Sequence, residues 1–157
     1  MAETKTKTQG VLPSPEQFEA LPPEREQALV QGMNGVESFS RLLGLEVEEI
    51  RREYARMRMP YKPALNQPAG VVHGGAIASL IDTAVVGAIF STMEAIPRKL
   101  LTIDIHIHYM DAAVEEDVIA HAWVRRRGRS TIFLAVDTFT ASGKEVAHGE
   151  LSYRIVV

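Results

Sequence analysis

The segment from Gly74 to about Ser91 constrains the fold more than any other. Ala76, Ile77, Ala78, Leu80, Ile81, Ala84, Val85, Val86, Ala88, Ile89 and Phe90 leave almost no polar side to a helix here, so the rest of the chain must enclose it. Ser79, Asp82 and Thr83 interrupt the run, and it is too short to be expected to span a bilayer. After Pro97 the period changes to two. Leu101, Ile103, Ile105, Ile107 and Tyr109 alternate with Thr102, Asp104, His106, His108 and Met110, which predicts a strand with one buried face. Three more strands are expected over 117–126, 130–140 and 145–156, joined by hairpin turns at Arg127-Gly128-Arg129 and Ala141-Ser142-Gly143-Lys144. One long central helix followed by a run of antiparallel strands defines an α+β domain in which a sheet wraps the helix.

Upstream, the first dozen residues are polar and aperiodic and read as a mobile tail. Ser14-Pro15 and Pro22-Pro23-Glu24 each open a short helix, and Asn34-Gly35 ends the second. Residues 1–35 are therefore expected to be a tail and an accessory helical segment, and 36–157 the main domain. Val36, Phe39, Leu42 and Leu43 continue at helical spacing up to Gly44, and residues 45–59 carry strand-like alternation that fits two strands or one bent one. A chain of 157 residues suits one such domain. With 17 Lys and Arg against 20 Asp and Glu, nothing at whole-chain level calls for nucleic acid or an anionic membrane. The absence of cysteine removes disulfides, thiolate ligands and a Cys nucleophile, and is compatible with a cytoplasmic setting. The Thr-, Lys- and Glu-rich start is not a signal peptide.

Asp82 is the residue most in need of a function. It sits mid-helix among apolar neighbours, where a carboxylate is costly unless paired or used. Ser79, Asp82 and Thr83 form one narrow polar stripe, extended by Gly75. At the start of the same helix, His73-Gly74-Gly75 leaves backbone N–H groups uncovered where the helix dipole is positive, a setting that stabilises a developing oxyanion. His73 itself is expected to line the site and to serve the loop. Ser79 lacks both a base and a nucleophile elbow, which argues against a serine hydrolase. Asp104, His106 and His108 share a strand face, the ordinary outer polarity of a sheet, and no metal is assigned to them.

Together with Asn66, Gly70, His73-Gly74-Gly75 and Leu80-Ile81-Asp82-Thr83-Ala84, the later segments Thr102-Ile103-Asp104 and Gly143-Lys144-Glu145-Val146-Ala147 resemble the signature of hotdog-fold acyl-CoA thioesterases of the phenylacetate-pathway type, over roughly residues 36–157. The resemblance implies that Asp82 activates water or attacks the thioester, that the Gly74 amide polarises the carbonyl, and that Asn66 and Thr102 assist. Asn66 and His73 stand one residue further apart than that pattern has them. The resemblance also implies a homodimer assembling to a tetramer, with a site shared at the dimer interface.

The chemistry is consistent with these residue types, since a thioester needs only a positioned carboxylate and oxyanion donors, and no cofactor. Arg125, Arg126, Arg127 and Arg129 are the one dense basic cluster, suited with Ser130 to the phosphates of coenzyme A. His73, Gly75, Ser79 and Thr83 complete the expected substrate contacts. Gly74 and Asp82 lie about 12 Å apart along one helix axis, too far to serve one carbonyl, so the helix start of one chain is expected to meet Asp82 of a second. Two other readings share these features: a hydratase or dehydratase of acyl thioesters, and a non-catalytic acyl-CoA binding protein.

Overall fold

The computed structural model describes residues 13–157; the polar stretch expected to be a tail lies outside them. Along the chain run α1 (Pro23–Gly35), α2 (Phe39–Leu43), β1 (Glu46–Arg51), β2 (Tyr54–Met59), α3 (Gly74–Ser91), β3 (Lys99–Tyr109), β4 (Val118–Arg127), β5 (Thr131–Thr140) and β6 (Glu145–Val156). The six strands form one sheet in the order β1-β2-β4-β5-β6-β3, with every neighbouring pair antiparallel. Residues 45–59 resolve into two strands because the turn at Arg52 and Glu53 reverses the chain, with Glu53 at φ 65°.

The sheet wraps α3. Leu80, Ile81, Ala84, Val85, Ala88 and Ile89 are wholly buried, and burying each Leu or Ile contributes roughly 1.5–3 kcal/mol. By length and composition α3 does meet the requirement for a membrane span, contrary to the expectation that it is too short; its packing makes it the core helix of the domain. Two glycines set how closely the sheet approaches. A Cβ at Gly87 would stand 2.9 Å from Ala55 Cβ, and one at Gly149 would stand 2.7 Å from Ile81 Cγ2. At the far end, the buried Ser91 hydroxyl donates to the Ala88 carbonyl and accepts the Glu53 N–H at 2.7 Å, which ties the helix end to the β1–β2 turn.

The β1 side of the sheet is finished by the N-terminal segment. Leu21 is buried, Phe18 stacks on Tyr54 at 4.9 Å, and Asn34 pairs with both the N–H and the carbonyl of Val47. The β3 side is bare. Leu101, Ile103 and Tyr109 are 51%, 55% and 52% exposed, so the buried face expected of this strand is not buried within the chain.

Nor does the alternation run unbroken along β3. Thr102 pairs with Tyr153 but Asp104 pairs with Ser152, so Ile103 is an extra, bulged residue. A bulge changes which face the following residues take. Thr102 thereby shares the α3 face with Ile105 and Ile107, although strict alternation would set it with Asp104, His106 and His108.

Candidate active site

The first turn of α3 leaves one amide free. His73, the N-cap, accepts the Gly75 N–H on Nδ1 at 2.8 Å, and its backbone carbonyl accepts from Ala76 and Ile77. This use of Nδ1 requires the Nε2–H form of the imidazole and ties the side chain to the helix start. Only the Gly74 N–H has no acceptor among the described residues. The phenol of Tyr109 donates to the Gly74 carbonyl at 2.8 Å, and its ring lies 3.4 Å from where a Gly74 Cβ would be. Partial burial pushes the Tyr109 phenol pKa up. An open cavity of about 360 Å³ adjoins this turn, lined by Val71, Gly74, Ile77, Tyr109 and Met110.

Asn66 lies beside this helix start. Its backbone pairs with Val72, its Nδ2 donates to Tyr61 Oη at 3.0 Å, and its Oδ1 is buried without a donor among the described residues. The next residue towards the chain start, Leu65, accepts the His73 N–H at 2.8 Å.

Asp82 belongs to a second cluster, two turns along α3. It is half-buried rather than enclosed, on the flank of the helix nearest β6 and β3. Its Oδ1 accepts from Thr102 Oγ1 at 3.0 Å and from Tyr153 Oη at 2.5 Å, and the same phenol stands 2.8 Å from the Asp82 carbonyl. Oδ2 has no partner among the described residues. Tyr153 is 4% exposed; burial first, and then the carboxylate it donates to, hold its phenol far above the ordinary range. Sequence reasoning had missed Tyr153, Tyr109 and Tyr61. The pairing of Tyr153 with Thr102 across β6 and β3 is a long-range fact, and no local pattern carries it.

The rest of the polar stripe turns inward on its own helix. Ser79 Oγ donates to the Gly75 carbonyl at 2.8 Å and Thr83 Oγ1 to the Ser79 carbonyl at 2.7 Å, so both hydroxyl protons are used.

The arginine cluster is divided between two faces. A bulge between Val124 and Arg126 leaves Arg126 opposite the exposed Phe133, and Arg125 lines an outer-face cavity with Asp104, His106 and Glu150. Arg127 instead donates to Thr92 Oγ1 at the C-terminal end of α3, about 15 Å along the axis from Asp82. Arg129 is exposed in the turn, and the Ser130 carbonyl accepts the Ile155 N–H at 2.8 Å. The register brings Lys99 and Arg154 to this same end of the sheet.

Comparison with known proteins decides the family. Residues 69–147 match the thioesterase superfamily. A Halobacterium salinarum protein named as an esterase is 35% identical over 139 residues, 82% of this chain and 91% of its own length. The chain belongs to the thioesterase superfamily. This thioesterase is also similar to acyl-coenzyme A thioesterase 13 of Homo sapiens, at 28% identity over 124 residues, 77% of this chain and 87% of the relative. Its fold matches the Escherichia coli PaaI protein of the phenylacetic acid degradation operon with a TM-score of 0.75, 19% identity, and coverage of 83% and 93% of the two chains. The expected hotdog architecture is therefore correct, and this thioesterase is a thioester hydrolase.

Proposed function

We propose that the chain is an acyl-CoA thioesterase whose active site combines Asp82 of one subunit with the Gly74 amide of a second. The single observation behind this reading is that α3 carries a carboxylate with one free oxygen and a helix-start amide with no acceptor, separated by about 12 Å. An oxyanion donor must lie ~3 Å from the carbonyl oxygen while the carboxylate reaches the carbon or its water. One copy of α3 does not satisfy both requirements for one thioester.

The bare β3 edge is where a second copy would join. An unpaired edge strand with exposed apolar side chains is a template for pairing. Antiparallel pairing of β3 with its copy about a two-fold axis would continue the sheet and bring the partner's α3 over the uncovered face of Ile105 and Tyr109. Asp82 lies on the flank of α3 that faces this edge.

In the reaction the Gly74 N–H binds the thioester carbonyl oxygen. Asp82 takes the proton of an attacking water, or attacks the carbon itself, with Thr102 holding Oδ1. Collapse of the tetrahedral intermediate re-forms the carbonyl and expels the coenzyme A thiolate; water attack leaves the free acid directly, whereas attack by Asp82 leaves an acyl anhydride that a water then hydrolyses to the free acid and the regenerated carboxylate. Asn66 offers its buried Oδ1, which has no donor among the described residues, to the water or a substrate amide. His73 and Gly75 shape the helix start, Ser79 and Thr83 present acceptor oxygens beside Asp82, and Arg125, Arg126, Arg129 and the Ser130 turn bind phosphates. The acyl-CoA substrate is supported by the similarity to acyl-coenzyme A thioesterase 13.

Complementation tests the shared site. Gly74→Pro deletes the amide at the first helical position, which tolerates proline, and Asp82→Asn deletes the base. Each homodimer should be nearly inactive. Random mixing of equal amounts should restore roughly a quarter of wild-type sites, because half the dimers are mixed and each of those holds one intact site. Verified mixed dimers without activity would overturn the reading.

A further inference from the structure

The Asp82 carboxylate is asymmetric. Both side-chain donors that reach it, Thr102 Oγ1 and Tyr153 Oη, converge on Oδ1, and they arrive from directly paired positions of β3 and β6. Tyr153 is the shorter contact and the more deeply placed one, with its ring enclosed in the core and its hydroxyl proton shared between Oδ1 and the Asp82 carbonyl. A phenol contacting both the carboxylate and the backbone of one residue restricts the rotation of that side chain about χ1 and χ2. A hydrogen bond to an ionised group is also among the stronger ones. Thr102, by contrast, is exposed on an edge strand.

We infer that Tyr153 is the positioning residue of the reaction: it locks Asp82 so that Oδ2, and not Oδ1, faces the thioester or its attacking water. This rests on the reading above in which Asp82 is the reactive carboxylate. Tyr153 touches no substrate in this scheme and transfers no proton. Its phenol remains protonated, and so remains a donor, across the range in which a carboxylate works as a base.

Tyr153→Phe keeps the ring and removes only the hydroxyl. The expected result is a fall in kcat of about 10- to 100-fold, the usual worth of a hydrogen bond to a charged group, with KM within about twofold of the wild type. A residue that acts through Asp82 has nothing to act on when Asp82 is gone, so Tyr153→Phe added to Asp82→Asn should leave the residual rate unchanged. An equal loss in both backgrounds overturns the inference, as does Tyr153→Phe with wild-type kcat while Asp82→Asn is impaired. Near-wild-type turnover by Asp82→Asn would instead remove the catalytic reading and, with it, the premise for Tyr153. If Tyr153→Phe does not fold, the wild-type protein still decides: a hydrogen-bonded phenolic proton should resonate far downfield and be lost in Asp82→Ala. A spectrum in which no phenolic proton responds to Asp82→Ala overturns the inference.

Discussion

The two edges of the sheet differ in how completely one chain closes them. At the β1 edge, α1, Leu21 and Phe18 cover the strands, and Asn34 and Ser91 satisfy backbone groups where the chain turns. At the β3 edge, Leu101, Ile103, Ile105 and Tyr109 are 37–55% exposed, and the described residues leave much of their apolar surface uncovered. Every group proposed for the hydrolysis, apart from the Asn66–His73 loop and the phosphate-binding arginines of β4 and the turn after it, is on α3, β3 or β6, towards the open side. The lesson, on the reading proposed above, is that a chain can complete its core on one side and leave its chemistry on the other for a second copy to complete.

The sharpest way to break this comparison is a charge on the open edge. Ile105→Lys changes a residue that is 37% exposed in the single chain, so the fold should persist by circular dichroism while sedimentation reports monomers. Activity should fall with the dimer by at least the worth of a positioned base, about 10² to 10⁴. Full activity in a proven monomer would mean that one chain suffices.

Two alanine substitutions compare how tightly the flanks of α3 are packed. Gly149→Ala places a methyl against Ile81 beside Asp82, and overpacking of this kind costs about 1–3 kcal/mol in denaturant unfolding. Gly87→Ala meets Ala55, which has no rotamer to change, but gains about 0.5–1 kcal/mol of helix preference that a strand position lacks. The Gly149 variant should therefore be the less stable of the two, and the only one that also loses activity. The reverse order would place the tighter seam on the closed side.

A smaller effect concerns the basic end. Replacing Arg125, Arg126 and Arg129 by Ala should raise KM for coenzyme A esters about tenfold, within the range of charge-assisted hydrogen bonds. A truncated thioester without the nucleotide should be unaffected, and equal losses on both would assign the cluster to folding.

The smallest belongs to the outer face near the closed edge. Burial, followed by the Arg56 charge, lowers the pKa of His121, which accepts or shares the Tyr54 hydroxyl at 2.8 Å; Asp137, Glu48 and Glu49 oppose the shift. The unfolded chain then binds a proton at a pH where the folded chain does not. Stability is complete above the unfolded value near 6.5 and is lost as pH falls through it. Unfolding measured from pH 7.5 to 5 should show this loss, and His121→Gln should flatten it; an unchanged slope would assign the pH dependence to other groups.

Much of this was legible in the sequence because local periodicity carries it. The limits of α3 follow from His73-Gly74-Gly75 and the loss of apolar density after Ser91, and β4, β5 and β6 from alternation between turn residues. Asp82 and Gly74 could be singled out as candidates from their residue types and places on the helix, whereas Thr102 entered only through the family resemblance. What the sequence hid was relational. An apolar alternation in β3 announces a face fit for burial without saying which chain will bury it. Tyr153 reads as one more aromatic residue in a strand, since its partnership with Thr102 spans 51 positions and depends on which strands are neighbours. The division of the arginines follows from a bulge that the run Arg125-Arg126-Arg127 does not reveal.

The bulge at Ile103 separates two duties that one ribbon would otherwise have to share. Residues on either side of it are read in opposite phase, so the hydroxyl at 102 is aimed independently of the outward row at 104, 106 and 108. That row can drift towards any polar composition without disturbing the hydroxyl, and substitution of Ile103 itself should be tolerated as long as the extra unit of chain is kept. Loss of that single codon would be a different event: Thr102 would stand directly beside Asp104 in plain alternation, still opposite Tyr153 and on the α3 face, with no extra residue between the two.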